Sequence, residues 1–342
     1  MKLTDLFTQE ALDQALTDKM VKREKHPELD LWVYNYTANT QFAWVWNDVT
    51  LNCRGLIADG EGNIVARPFK KFFSYEQLDG KLPEGDFVVE EKMDGSMLVA
   101  VMYQGQLVTA TRGSFVSDQA KRGKELLGDF LPLEGYTFIF EVIYPENRVV
   151  VNYDFSDVVL LSVWQHGQEF TAVYYKKLAK MYGFRTPKVY SFDSLEEILS
   201  YEEPNLEGFV LRYSNGERVK IKLEEYKRLH RLITGVSEKT VWEAMRNGTL
   251  EELLEGTPDE FYDFVEEVRT ELQEKYNEIE LTAKIFFIDL GDRKTNALHY
   301  QNYKYPSILF HMLDGKDYSD NIWKLIRPEV TRVFKMVSED AN

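Results

Sequence analysis

The sequence predicts an α+β fold: antiparallel sheets with flanking helices over residues 1–234, followed by a mostly α-helical stretch over 235–342. Three observations predict it. Strand-like runs arrive as hairpins and not as strand–helix–strand units. Within those runs apolar residues alternate with period two, and beyond about Leu232 the alternation gives way to helical spacing. At 342 residues the chain exceeds the usual size of one domain, so two domains with separate cores are expected.

Composition narrows the function classes. A formal net charge of -16 argues against a protein that wraps nucleic acid by bulk charge, but not against a local basic groove. Much of the acid falls late, in Leu250–Glu255 and between Asp259 and Glu280, while Lys and Arg cluster in the first two thirds. The one cysteine, Cys53, allows no internal disulfide and no cysteine metal cage, which suits a reducing, cytoplasmic setting. No run is long and apolar enough for a membrane span, and the N-terminus lacks the unbroken apolar region of a signal peptide, so no membrane partner is expected.

Taken in order, residues from Thr8 to about Arg23 read as one amphipathic helix with Ala11, Leu12, Ala15 and Leu16 on a face. Leu31–Tyr36 is an aromatic, alternating strand. Leu51–Asp59, a turn at Gly60 to Gly62, and Asn63–Pro68 make a hairpin. Arg54, Arg67, Lys70 and Lys71 lie along this unit with Phe69, Phe72, Phe73 and Tyr75 between them, a pattern that fits either an exposed snorkelling face or a phosphate site. Leu107–Ser114 is a strand that ends in a small-residue turn, and a helix follows from about Asp118 to Leu127. Tyr136–Tyr144 is a strand in which Glu141 shares a face with Ile139 and Ile143. A buried carboxylate needs a partner, so Glu141 faces a cleft or pairs with a cation.

Val158–Trp164 is a buried strand, a helix near Tyr174–Tyr182 stops at Gly183, and Asp193 with Glu196 starts a short helix. Glu207–Tyr213, the turn Asn215–Gly216 and Arg218–Leu223 form a hairpin that puts Arg218, Lys220 and Lys222 on one face, as either a solvated edge or a working pair of lysines. Later, Thr257 as cap with Pro258 and Glu260 starts a long helix. Further helices are expected at Pro306–Leu313 and Asn321–Ile326, and Asp292–Asn296 reads as a polar loop.

The pivotal stretch is Val88–Val99, where Lys92 stands two residues before Asp94-Gly95 between apolar runs. Asp-Gly in that setting signals a hairpin turn with a solvated lysine beside it. The alternative is a nucleophile, because an amine attacks phosphorus only when neutral and cationic neighbours favour that form.

The series Arg54-Gly55, Lys71-Phe72-Phe73, Lys92-Met93-Asp94-Gly95, Phe140-Glu141, Glu207-Gly208 and Lys220-Ile221-Lys222 resembles the covalent nucleotidyltransferase superfamily. Within it the chain is most similar to ATP-dependent RNA ligases of the bacteriophage T4 RNA ligase 1 type, with Tyr226 matching the tyrosine after the paired lysines. The resemblance implies an adenylyltransferase domain at 1–234 and a helical domain at 235–342 that helps select the RNA. It implies that ATP binds with Mg²⁺, or Mn²⁺ in its place, and that Lys92 becomes AMP-lysine with Asp94, Lys220 and Lys222 as its catalytic neighbours. Tyr34, Tyr36, Arg54, Lys71, Glu91, Gly95, Glu141, Lys220, Lys222 and Tyr226 would contact the nucleotide, and Glu207 the metal. No matching residue stacks on adenine, Trp164 being the nearest candidate. The implied partner is RNA with 5′-phosphate and 3′-hydroxyl ends, such as a broken tRNA, with a separate kinase/phosphatase to heal the ends. A non-catalytic RNA-end or nucleotide-binding protein, and a nucleotidyltransferase acting on DNA or another acceptor, are the competing readings.

Overall fold

A computed structural model of the chain describes residues 1–255, 257 and 262–328. The chain divides into two compact units, Met1–Ile233 and Thr234–Asn342. The first unit begins with α1 (Gln9–Thr17) and an antiparallel meander of β1 (Val21–Lys25), β2 (Leu31–Tyr36), β3 (Arg54–Asp59) and β4 (Ile64–Ala66), with α2 (Ala38–Phe42) and α3 (Asp48–Asn52) between β2 and β3. Next come β5 (Phe73–Ser74), β6 (Phe87–Glu91), β7 (Ser96–Tyr103), β8 (Gln106–Ala110), α4 (Asp118–Leu127), β9 (Tyr136–Ile143), β10 (Asp157–Gln165) and β11 (Gln168–Glu169). The unit ends with α5 (Ala172–Tyr182), β12 (Val189–Tyr190), α6 (Leu195–Leu199), β13 (Gly208–Tyr213), β14 (Arg218–Lys222) and α7 (Glu224–Thr234).

These strands build two five-stranded sheets besides the meander, in the orders β11-β10-β9-β7-β8 and β12-β6-β13-β14-β5. Every pair is antiparallel except β14 with β5. The middle sheet is covered on both faces: Phe138, Phe140 and Leu160 pack under α4 and α5, while Ile139 and Val99 pack on Val33 and Ile57 of the meander. Two-sided burial is why β9 reads as a nearly continuous apolar run and not as a strict alternation.

Several expectations are corrected. Lys92 does not sit in a hairpin, because β6 and β7 belong to different sheets and residues 92–95 carry the chain from one to the other. The Asp-Gly signal is overridden by tertiary bonds. The Asp94 carboxylate accepts from Val150 N (2.8 Å), Val151 N (2.7 Å) and the Tyr226 hydroxyl (2.8 Å), and a Cβ at Gly95 would meet Val142 O at 2.5 Å. The first helix ends at Thr17, and residues 21–25 instead pair with β2 as β1, where only Val21 is buried. Ser194, not Asp193, caps α6 by accepting from Glu197 N.

A buried ion network joins the two large sheets. Arg212 on β13 reaches Glu169 on β11 at 2.7 Å and Glu90 on β6 at 3.8 Å, Lys176 and the Tyr175 hydroxyl meet Glu90 at 3.0 and 2.8 Å, and Arg218 pairs with Glu169. Burial raises the Glu169 carboxyl, but Arg218 and Arg212 outweigh it and hold it below its ordinary value. The network anchors β6 two residues before Lys92.

The second unit contains α8 (Glu238–Asn247), α9 (Leu250–Glu255), α10 (Tyr262–Phe286), α11 (Arg293–Tyr300), α12 (Pro306–Leu313) and α13 (Ser319–Leu325), with no strand among its described residues. Ala283, Tyr300, Ile308, Leu309 and Ile322 form a core, and Trp242 Nε1 donates to Trp323 O at 2.8 Å. Asp292–Asn296 is no loop: the Asp292 carboxylate caps α11 by accepting from Lys294 N and Thr295 N. Pro258, Asp259 and Glu260 of the expected cap lie outside the described residues. The Thr257 hydroxyl donates back to Leu253 O at 2.7 Å.

Candidate active site

The register of three strands assembles the centre. Lys92 N donates to Gly208 O at 2.9 Å, which sets Lys92 beside Glu207, and Gly208 lies opposite Lys222 on β14. Lys92 Nζ stands 2.8 Å from Glu207 Oε2, and Lys222 Nζ 2.9 Å from Glu207 Oε1. Glu207 is 2% exposed. Burial raises its carboxyl, but Lys222 and then Lys92 more than offset that and hold it below its ordinary value. Lys220 shares the buried face of Lys222 by strand alternation.

Glu141 projects from the neighbouring sheet, and its Oε1 accepts from Gly95 N at 3.1 Å. Burial pushes its carboxyl up to about 7, with Lys92 the main charge opposing the rise and Glu207 adding to it. In protein labelled with ¹³C at glutamate carboxyls, Glu141 is expected to titrate near pH 7. The midpoint should climb in Lys92→Met and fall in Glu207→Gln, and a midpoint indifferent to both would disprove the coupling. Arg54 lies close enough to oppose the same rise, stacking over Phe69 (5.1 Å) and Phe72 (5.6 Å) with a nitrogen 2.8 Å from Met97 Sδ. Met97 is the β7 partner of Glu141.

Asp94 and Tyr226 are brought in as supports. Their mutual bond ties α7 to the Lys92 crossing, and Lys222 lies 5.0 Å above the Tyr226 ring. A second cluster holds Lys71, whose Nζ lies 5.3 Å from the Tyr36 and Trp46 rings and 5.7 Å from Phe73, while Arg112 donates to the Tyr36 hydroxyl at 3.1 Å. The clusters adjoin through β5, where Ser74 pairs with Lys220.

Other expected residues are placed elsewhere. Tyr34 packs with Leu12, Cys53 and Leu56 in the core under α1, so of the two tyrosines Tyr36 is the one beside Lys71. The register of β2 on β3 shifts between Tyr34 and Asn35, where β3 carries the extra residue, Gly55. The Glu91 side chain lies by Lys188 and Glu203 and not with Glu207. Trp164 pairs with Thr137, four residues or about 13 Å along β9 from Glu141, and its ring is covered by Arg67 at 5.4 Å. Arg67 thereby leaves the basic cluster, and Lys70 is exposed. Arg112 and Trp46 are additions that sequence reasoning missed. Arg112 is 76 residues from Tyr36, and no local pattern signals such a pairing.

A family model described as RNA ligase, of the T4 RNA ligase 1 kind, matches residues 52–226, just over half of the chain. The chain belongs to this RNA ligase family. A relative, a putative RNA ligase of Thermovibrio ammonificans, is 29% identical over 67% of this chain and 65% of its own length. A putative bifunctional polynucleotide kinase/RNA ligase of Autographa californica nuclear polyhedrosis virus is 29% identical over 63% of this chain and 36% of its own. The chain thus spans just under two thirds of the first relative and about a third of the second. In fold it is similar to a putative ATP-dependent DNA ligase from Aquifex aeolicus, with a TM-score of 0.50 at 16% identity over 81% of this chain and 75% of the other. The match begins at Asn52 and ends at Tyr226, so it contains Lys92, Glu141, Glu207, Lys220 and Lys222.

Proposed function

We propose that the protein is an ATP-dependent RNA ligase that joins 5′-phosphate and 3′-hydroxyl ends through lysyl-AMP and RNA-adenylate. The observation that carries this is the buried Glu207 carboxylate held between Lys92 and Lys222 at 2.8 and 2.9 Å, with Glu141 facing the same lysine. Three cations, Lys92, Lys220 and Lys222, gather after the end of β6 and on β14, the strands on either side of β13, a concentration of positive charge suited to a phosphate.

In the first step Lys92 Nζ, having given up its proton, attacks the α-phosphorus of ATP. A nitrogen–phosphorus bond forms, and the bond to pyrophosphate breaks. Lys220 and Lys222 neutralise charge developing on the α-phosphate, and Arg54 and Lys71 hold the β and γ phosphates and the departing pyrophosphate. Glu141 accepts from the ribose hydroxyls, and Asp94 and Tyr226 keep the Lys92 crossing in place. A 5′-phosphate oxygen of RNA then attacks the AMP phosphorus, freeing Lys92, and a 3′-hydroxyl attacks the RNA 5′-phosphorus as AMP leaves.

Among the described residues no three acidic or metal-ligating side chains form a cluster that would hold a metal ion alone. Glu207, with Glu141 near it, fits instead a Mg²⁺ or Mn²⁺ carried in on the triphosphate, since such ions keep several waters and take one or two carboxylates besides phosphate oxygens. When bound, the ion would neutralise phosphate charge.

On this reading residues 1–234 adenylylate, and residues 235–342 select a structured RNA such as a broken tRNA by shape and 2′-hydroxyl contacts. A separate kinase/phosphatase would prepare the ends, in a cytoplasmic, RNA-repair setting. The test offers 5′-phosphorylated RNA and DNA ends side by side with ATP and Mg²⁺. Sealed RNA, with AMP-capped RNA trapped when the 3′-hydroxyl is blocked, is expected. Preferential sealing of DNA, or AMP that stays on the protein with every acceptor, would replace RNA as the substrate.

A further inference from the structure

Helix α2 ends in a Schellman motif: Trp44 N donates to Gln41 O at 3.2 Å, and Val45 N to Thr40 O at 3.0 Å. The residue that closes such a motif takes a left-handed backbone, and glycine is the usual occupant. Here it is Trp44, with φ +50°. A bulky side chain at positive φ is an outlier that persists where the surroundings enforce it, and such outliers cluster at ligand sites.

Trp44 is 49% exposed. It leans on Phe73 at 5.3 Å and on the edge of Trp46 at 6.1 Å, and Trp46 lies 5.2 Å from both Phe73 and Tyr36. The Trp46 Nε1 donor is buried with no hydrogen-bond acceptor among the described residues. Positive charge stands at the foot of this stack, in Lys71 within 5.3 Å of the Trp46 ring and in the exposed Arg112 on the Tyr36 hydroxyl. An exposed indole and an exposed guanidinium are complementary to single-stranded nucleic acid, which offers π-faces and phosphate charge together.

We infer that Trp44, propped by Trp46 and Phe73, is a stacking platform for a nucleobase of the single-stranded RNA substrate, with the adjoining phosphate against Arg112 and Lys71. The inference rests on the ligase reading. On that reading the α-phosphorus of ATP lies at Lys92 and its β and γ phosphates at Lys71, so the triphosphate points toward the platform and its adenine away from it. A base seated on Trp44 therefore comes from RNA.

Trp44→Gly removes the ring and supplies the residue that φ +50° favours, so its backbone has no reason to fail. Two readouts are taken on the full chain: the Kd for a fluorescent, 5′-phosphorylated single-stranded RNA by anisotropy, and covalent AMP labelling from ATP without RNA. Trp44→Gly is expected to raise the Kd by about tenfold, within the range of one base–aromatic stack, with Trp44→Phe in between. The half-reaction with ATP, in which no RNA takes part, should keep its rate. Unchanged RNA affinity in Trp44→Gly overturns the proposal. So does slowed AMP labelling, with or without weaker RNA binding, because the ring would then prop Lys71 or serve ATP. Failure of the ligase reading shows separately, as wild-type protein that takes no AMP, while the RNA titration still reads the platform.

Discussion

Lys92→Ala protein is expected to take up no covalent AMP when incubated with Mg²⁺ and ATP labelled at the α-phosphate, while wild-type protein keeps label through a denaturing gel. The side chain supplies the atom that forms the bond, so its loss removes the step and does not merely slow it. Neither neighbouring lysine can stand in: Lys222 Nζ is held 2.9 Å from the far oxygen of Glu207, and Lys220 projects two residues further along β14. Lys92→Arg should fail equally, because a guanidinium stays protonated at any working pH. Truncation also leaves Glu207 with one cation in place of two. A loss of about 1–3 kcal/mol in stability is expected, measurable as a lower denaturant midpoint, and far from enough to account for absent label in a protein that still unfolds cooperatively. Label on Lys92→Ala equal to wild type would move the nucleophile elsewhere and remove the basis of the ligase reading. Wild-type protein without label, after pyrophosphate has stripped any AMP it carried through purification, would favour the binding-protein alternative.

Gly208→Ala is expected to be nearly as damaging to labelling by a different route. Gly208 has φ +145°, and a Cβ there would meet Ile221 O at 2.1 Å and Lys222 Cα at 2.8 Å. Those atoms are backbone of β14, so relief requires the strand itself to move. Overpacking of this kind with a backbone misfit costs about 3 kcal/mol or more. The movement would be felt where it matters, since Gly208 O receives the Lys92 N–H and Gly208 is the register partner of Lys222. Displacing β14 therefore parts Lys222 from Glu207 and unsettles Lys92. The expected outcome is a loss of stability of that size, read from a lower denaturant midpoint, together with label reduced at least tenfold at a temperature where the variant remains folded. Full labelling by a folded Gly208→Ala protein would show that the β13–β14 approach is not what sets the site.

Local chemistry explains why much of this was legible before the fold was known. Period-two alternation in Arg218–Lys222 is a property of extended backbone, and it alone puts Lys220 and Lys222 on one face. The Asn215-Gly216 turn carries its hairpin unaided, because each partner strand lies next to it in sequence. Capping chemistry likewise stops α5 at Gly183. The same kind of signal failed at Asp94-Gly95, where the Asp94 carboxylate binds backbone 56 and 57 residues away and a hydroxyl 132 residues away. It failed again at the end of the expected first helix, Val21 to Arg23, which pairing with β2 claims for β1.

The chain read alone specifies its class, the hairpin at Asn215-Gly216, its helical last third and the residue inventory of the candidate site, because propensity, periodicity and motif order act over a few residues at a time. Which members of that inventory meet is decided only when distant strands pack. Packing selects Tyr36 over Tyr34, turns Glu91 and Trp164 away, and recruits Arg112 and Trp46. It also sets one carboxylate, Glu207, between two lysines 115 and 15 residues off in sequence, an arrangement stable only because burial makes each charge need the others.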